Sequence, residues 1–135
     1  MSLQCVLVDD NPDFVAAARS LLEHEGLTVL GAAGNGAEAL RLVAELRPDV
    51  LLIDIDLGAE SGLELARRLA RSARPVPPPV ILISSYAEED YADLIADSPA
   101  VGFLSKSELS AVAIRRLLDD RTDVPGGPAN EPTER

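Results

Sequence analysis

Two apolar patterns alternate along the chain. Short unbroken runs, Cys5-Val6-Leu7-Val8, Val50-Leu51-Leu52-Ile53 and Val80-Ile81-Leu82-Ile83, are separated by stretches whose apolar residues recur at helical spacing. A run with no polar alternation suits a strand covered on both faces, as in a parallel sheet with helices on each side. Each run stops on polar residues: Asp9-Asp10, Asp54 and Ser84-Ser85. In open α/β sheets the rim at the carboxyl ends of the strands is where ligands bind.

Taken in order, Gln4 to Val8 predicts a first strand. Asn11-Pro12-Asp13 then supplies an N-cap, a proline suited to the first helical position and an acid for the first turn. Phe14, Ala17, Ala18, Leu21 and Leu22 form the stripe of that helix, and Gly26 its stop. Leu27 to Ala32 predicts the second strand. Asn35-Gly36-Ala37-Glu38 is a capping arrangement opening a second helix striped by Ala39, Leu40, Val43 and Leu46. The third strand is Val50 to Asp54, followed by a loop from Ile55 to Ser61, where Gly58-Ala59 predicts mobility.

Ser61-Gly62-Leu63-Glu64 is a second capping box, opening a third helix with Leu65, Ala66, Leu69 and Ala70 inward. Pro75, Pro77, Pro78 and Pro79 make a stiff connector that cannot lie inside a sheet. Val80 to Ile83 is the fourth strand. Ala87 to Asp97 predicts an acidic fourth helix with Leu94 and Ile95 inward, and Ala100 to Leu104 a fifth strand leading to Ser105-Lys106. Ser107 is the expected cap of a last helix, with Leu109, Val112, Ala113 and Leu117 as its buried stripe.

From Asp119 the pattern stops. Residues 1–118 are therefore expected to form one domain, and 119–135, rich in Pro, Gly and charge, a disordered tail or the start of a linker. Strands and helices alternate five times, which predicts a doubly wound five-stranded parallel sheet with five helices. Its simplest form is the flavodoxin-like order 2-1-3-4-5.

Composition narrows the function more than the fold. A formal charge of -11 over 135 residues argues against direct nucleic acid or anionic membrane binding, which needs clustered Lys and Arg. No apolar run approaches a membrane span, and Met1-Ser2-Leu3-Gln4 does not open a signal peptide, so the expected location is cytoplasmic. The single cysteine, Cys5, reads as a small core residue, and His24 is assigned no chemistry.

With strands one and three adjacent, Asp9, Asp10 and Asp54 converge. At an effective dielectric of about 20, each close pair of ionised carboxylates costs on the order of 4 kcal/mol, which a divalent cation relieves. Oxygen-only ligands at an open rim favour Mg2+. Ser84 ends the fourth strand and Lys106 follows the fifth, so a hydroxyl and an ammonium face the same carboxylates. That set suits phosphoryl transfer to Asp54, with Lys106 neutralising and Ser84 donating to the phosphoryl oxygens.

In this order and spacing, Asp9-Asp10, the apolar strand ending at Asp54, Gly62, Ser84 and Gly102-Phe103-Leu104-Ser105-Lys106 resemble a response-regulator receiver domain of chemotaxis-regulator-like fold, over Leu3 to Leu118. The resemblance implies a two-component phosphoprotein in which Asp54 accepts a phosphoryl group from a histidine kinase or phosphotransfer protein. It implies that Asp9, Asp10, the Asp54 side chain and the Asp56 backbone carbonyl hold Mg2+, and that Lys106 pairs with the phosphoryl group. Ser84 becomes the switch hydroxyl and Phe103 the aromatic that changes rotamer with it. The signal then passes to a protein partner or effector domain, and a homodimer is compatible with this. No enzymatic activity is implied beyond self-catalysed phosphoryl transfer and autodephosphorylation. Two departures stand out: Ser107 occupies the position after the lysine where proline is common, and Gly58 replaces a common proline in the loop after Asp54.

Each residue has a plainer reading when taken alone. Asp9-Asp10 could be loop acids favourable to a helix dipole, Ser84 and Ser85 turn or cap residues, Lys106 a surface lysine and Phe103 a core aromatic. Beside a flavodoxin-like flavin site, opposed by a first loop without a Ser/Thr-rich phosphate cradle, two functional alternatives remain. One is a phosphorylation-independent docking or dimerisation module of the same fold. The other is an aspartyl-phosphate phosphatase of haloacid-dehalogenase type, suggested by Asp54-Ile55-Asp56 but opposed by an acid pair that comes first in the chain.

Overall fold

The computed structural model describes residues 3–72, 77–86 and 92–122. Strand β1 (Gln4–Val8) is followed by α1 (Pro12–His24), β2 (Thr28–Ala33), α2 (Gly36–Leu46) and β3 (Val50–Asp54). Two very short strands, β4 (Asp56–Leu57) and β5 (Glu60–Ser61), precede α3 (Gly62–Ser72). The chain then forms β6 (Val80–Ser84), α4 (Ala92–Ala96), β7 (Gly102–Ser105), a single 3-10 turn (Lys106–Glu108) and α5 (Ala111–Thr122).

The main sheet has the order β2-β1-β3-β6-β7, all parallel, which is 2-1-3-4-5 when its own strands are counted. β1 and β3 are neighbours, as convergence of the acids requires. Every residue of β3 is buried. Leu51 and Ile53 join Val6, Val8 and Leu82 in a layer with Ala39 and Val43 of α2 and Leu65, Ala66 and Leu69 of α3. Val50 and Leu52 join Cys5, Leu7, Ile81 and Ile83 in a second layer with Ala18 and Leu22 of α1 and Ile114 of α5. Successive side chains of a strand point to opposite faces, so the continuous apolar runs are two half-cores threaded on one strand. Burial pushes the Cys5 thiol up to about 11, which makes it an inert packing group.

Caps explain where the elements begin. Asn11 Oδ1 accepts from the Asp13 and Phe14 amides, and Asn35 Oδ1 accepts from the Glu38 amide, as the two sequence signatures predict. Gly26, at φ +99, closes α1, and the Leu27 amide bonds the Leu22 carbonyl. That bond holds Leu27 in the helix cap, so β2 starts one residue later than expected. Similarly, the Ala100 amide is taken by Ser98 Oγ, and β7 begins at Gly102 rather than at Ala100.

Several expectations are corrected. Ser107 does not cap the last helix, because Lys106–Glu108 first makes a 3-10 turn; Ser110 is the cap, its Oγ accepting from the Ala113 amide at 3.0 Å. The later start turns the helix, so Val112 is 61% exposed while Ile114, outside the expected stripe, is fully buried. Leu94 is 48% exposed rather than inward, and only Ile95 of that pair packs against the core. α5 also continues to Thr122, past the last apolar residue of its pattern. Residues 87–91 of the expected fourth helix, together with Pro75 and the tail from 123, lie outside the described residues.

Candidate functional site at the carboxyl rim of the sheet

The sheet register delivers the site. Val8 pairs with Ile53, so the residues that follow, Asp9 and Asp54, emerge side by side. Asp54 pairs with Ile83, and Ser84 with Ser105, which brings Ser84 and Lys106 to the same rim. Oxygen atoms of Asp9, Asp10 and Asp54 all lie within 4.8 Å of one another. The Lys106 ammonium lies 2.7 Å from Asp9 Oδ2 and 3.1 Å from Asp54 Oδ2. It also stands 4.3 Å from the centre of the Phe14 ring, a cation–π contact.

Both carboxylates are anchored by backbone donors. The Asn11 amide donates to Asp9 Oδ1 at 2.9 Å, and the Asp56 amide to Asp54 Oδ1 at 3.0 Å. Burial raises the Asp54 pKa above the usual carboxylate value, and Asp9 adds to this, while the Asp56 amide and Lys106 pull the other way. For Lys106, burial works to lower the pKa, but the carboxylates of Asp9 and Asp54 outweigh it and the net shift is upward. Asp9 Oδ2 is buried, and the Lys106 ammonium 2.7 Å away is its counter-charge. Three carboxylates whose oxygens lie within 4.8 Å of one another face that one ammonium, an excess of negative charge and of oxygen ligands that a hard cation would satisfy, so these residues fit Mg2+.

The segment after Asp54, expected as an open loop, is a tight hairpin in which Asp56 pairs with Ser61 and Leu57 with Glu60. Gly58 turns it at φ +71, and a Cβ there would lie 2.9 Å from Asp10 Oδ2. The backbone angle favours glycine here, and an added Cβ would also press the end of the Asp10 side chain aside. Gly62 is tighter still: an added Cβ would collide with the Asp54 backbone carbonyl.

Of the residues singled out in sequence, Asp9, Asp10, Asp54 and Lys106 form one cluster. Ser84, 1% exposed, stands on the adjoining strand end, its Oγ accepting from the Tyr86 amide. Asp56 is exposed at the hairpin start, where its side chain accepts from the Gly58 amide. Phe103 lies back from the acids in the apolar layer with Val80 and Leu82. Phe14 belongs to the predicted helix stripe, and its contact with the Lys106 ammonium is an addition from the structure. Its signal was position: a helix that starts directly after the acid pair places its first-turn side chains over the strand ends. Beside Asp9 and Asp10 a cleft of about 840 Å³ runs between α1 and the end of β2, lined also by Val15, Arg19 and Asn35.

A five-stranded parallel sheet of this order, with an acid cluster and a lysine at its carboxyl rim, defines a receiver-type fold. Residues 5–118 match the response regulator receiver domain family, and the chain belongs to it. Over 118 residues it is 35% identical to the response regulator GacA of Pseudomonas aeruginosa, a match covering 84% of this chain and 54% of that protein. It is 32% identical over 134 residues to a protein-glutamate methylesterase/protein-glutamine glutaminase of Hahella chejuensis, covering 98% of this chain and 33% of that one. Among solved structures, the signal receiver domain of the putative response regulator NarL from Mycobacterium tuberculosis superposes with a TM-score of 0.75 at 29% identity, covering 91% of this chain and 98% of that one. The chain spans about half or less of the length of the curated relatives it matches. Among the described residues no helix is long and apolar enough to cross a membrane.

Proposed function

We propose that this chain is a phosphoacceptor module of a two-component system, in which Asp54 takes a phosphoryl group from the phosphohistidine of a kinase or phosphotransfer protein. The observation that carries the reading is the Lys106 ammonium set between Asp9 Oδ2 and Asp54 Oδ2. A half-buried cation facing the acceptor carboxylate is placed to neutralise charge as the phosphoryl oxygens arrive.

Asp54 Oδ2, the oxygen facing Lys106, is the proposed nucleophile, while the Asp56 amide on Oδ1 fixes the carboxylate's orientation. Its attack on phosphorus forms the acyl phosphate bond as the bond from phosphorus to the imidazole nitrogen breaks, and the imidazole leaves with that electron pair. Asp9, Asp10, the Asp54 side chain and the Asp56 backbone carbonyl are the proposed Mg2+ ligands. Bound there, Mg2+ supplies charge neutralisation for the transferring group.

Ser84 is the switch hydroxyl in this reading. Its Oγ accepts from the Tyr86 amide, which leaves its own O–H to donate to a phosphoryl oxygen. Phe103 repacks with it, and the response is a population shift in α4, β7 and α5 toward a protein partner or effector domain. Residues 1–118 form the receiver unit, with α5 running on to Thr122, and a tail or linker follows. A titration with beryllofluoride and Mg2+ tests the proposal: amide resonances around Ser84 and Phe103 shift in the wild type and not in Asp54→Asn. If neither protein responds, a docking module that needs no phosphate becomes the better account.

A further inference from the structure

Resting on the phosphoacceptor reading, a further role falls to a residue outside the acid cluster. The β4–β5 hairpin has two residues in each strand, and a pair that short has little stability of its own. Its position nevertheless matters twice to the site. The Asp56 amide at its start fixes Asp54 Oδ1, and its Gly58 tip lies against the Asp10 carboxylate.

The hairpin is fastened at its base, where the Gly62 amide donates to the Ile55 carbonyl at 2.8 Å. A different element holds its second strand. Glu60 Oε1 accepts a 2.7 Å hydrogen bond from the Gly36 amide, in the first turn of α2. The amides of a helix's first turn have no partner within the helix, and the dipole there favours an anion. Asn35 already serves the Glu38 amide, and Glu38 reaches back to the Gly34 amide, so Glu60 supplies the Gly36 amide from 24 residues away. The seat is close-fitting: a Cβ at Gly36 would lie 3.2 Å from Glu60 Oε1.

We propose that Glu60 is a positioning residue for the acid cluster. By gripping the α2 N-terminus it holds the hairpin where Asp56 and Gly58 preset Asp54 and Asp10 for a divalent cation. It touches neither the cation nor the phosphoryl group, and acts only through those neighbours.

The test uses the full chain with Glu60→Ala and Glu60→Gln, followed by amide NMR first without metal and then through a Mg2+ titration. Without metal, Glu60→Ala is expected to shift the amides of Gly36 and of Asp56 to Gly58 and to speed hydrogen exchange at Gly36, while urea unfolding remains cooperative. Its Mg2+ affinity falls on the order of tenfold, as for other groups that orient metal ligands. Glu60→Gln keeps an oxygen acceptor for Gly36 and recovers most of that affinity. Unchanged hairpin amides and unchanged Mg2+ binding in Glu60→Ala would overturn the proposal, as would an equal loss in both variants, which would reduce Glu60 to a distant negative charge. A wild-type chain that binds no Mg2+ would count against the phosphoacceptor reading instead, and the metal-free spectra would still decide whether Glu60 holds the hairpin.

Discussion

Lys106 Nζ lies 2.7 Å from Asp9 Oδ2, and the two side chains are 15% and 0% exposed. A charge pair this far from water is held by mutual neutralisation, and deleting the cation strands the anions. Lys106→Met is therefore expected to destabilise the metal-free protein by about 3 kcal/mol. Urea unfolding with a chelator present measures it, and a loss indistinguishable from zero would mean that water already screens the acids. Because the lysine's pKa is raised in the folded state, its contribution is complete below the ordinary lysine value and disappears as pH climbs through the raised one.

Asp54→Asn should have the opposite effect. The folded state holds a proton on Asp54 more tightly than the unfolded chain does, so wild-type stability falls as pH rises from the normal carboxylate value through the raised one. Asparagine removes that penalty. The variant should be the more stable protein at neutral pH, with the advantage shrinking on acidification. Thermal melts from pH 7 downward, without divalent cations, decide the matter, and a variant less stable than wild type at pH 7 would contradict it.

Mg2+ should stabilise the fold in proportion to its occupancy, by about 2.7 kcal/mol at a concentration 100 times the dissociation constant. Asp9→Asn and Asp10→Asn should each lose most of this shift. A melting temperature that rises equally in these variants and in the wild type would place the cation elsewhere.

Gly62→Ala is predicted to cost about 3 kcal/mol, since its methyl group would have to displace the Asp54 backbone carbonyl. Gly34→Ala, where the nearest atom is the Glu38 side chain at 3.9 Å, serves as the comparison and should change stability far less. Equal unfolding midpoints for the two would show that the Asp54 backbone yields freely.

The central strands were the most legible part of the chain, because an apolar run covered on both faces leaves little freedom of assignment; Gln4–Val8 and Val50–Asp54 stand where they were expected. The acid cluster was legible for a related reason. Parallel strands of matched register place the residues following Val8, Ile53 and Ile83 together. What escaped had two causes. The 3-10 turn at Lys106–Glu108, which Ser105 caps by accepting from the Ser107 amide, displaced the helix start, and sequence alone does not distinguish Ser107 from Ser110 as the cap. The consequence is measurable in side chains: Ile114→Ala should cost about 3 kcal/mol and Val112→Ala within about 0.5. Glu60 and Phe14 escaped because their partners, Gly36 and Lys106, lie far away in sequence.

The alternation along β3 bears on how this chain can change over generations. Asp54 shares its parity with Val50 and Leu52, while Leu51 and Ile53 serve the opposite layer. Inserting or deleting a single codon within the strand would exchange the two sets and turn the carboxylate toward the α2–α3 side. Length variation in descendants of this sequence should therefore collect in the connections between elements, whereas the five residues of β3 vary only by substitution.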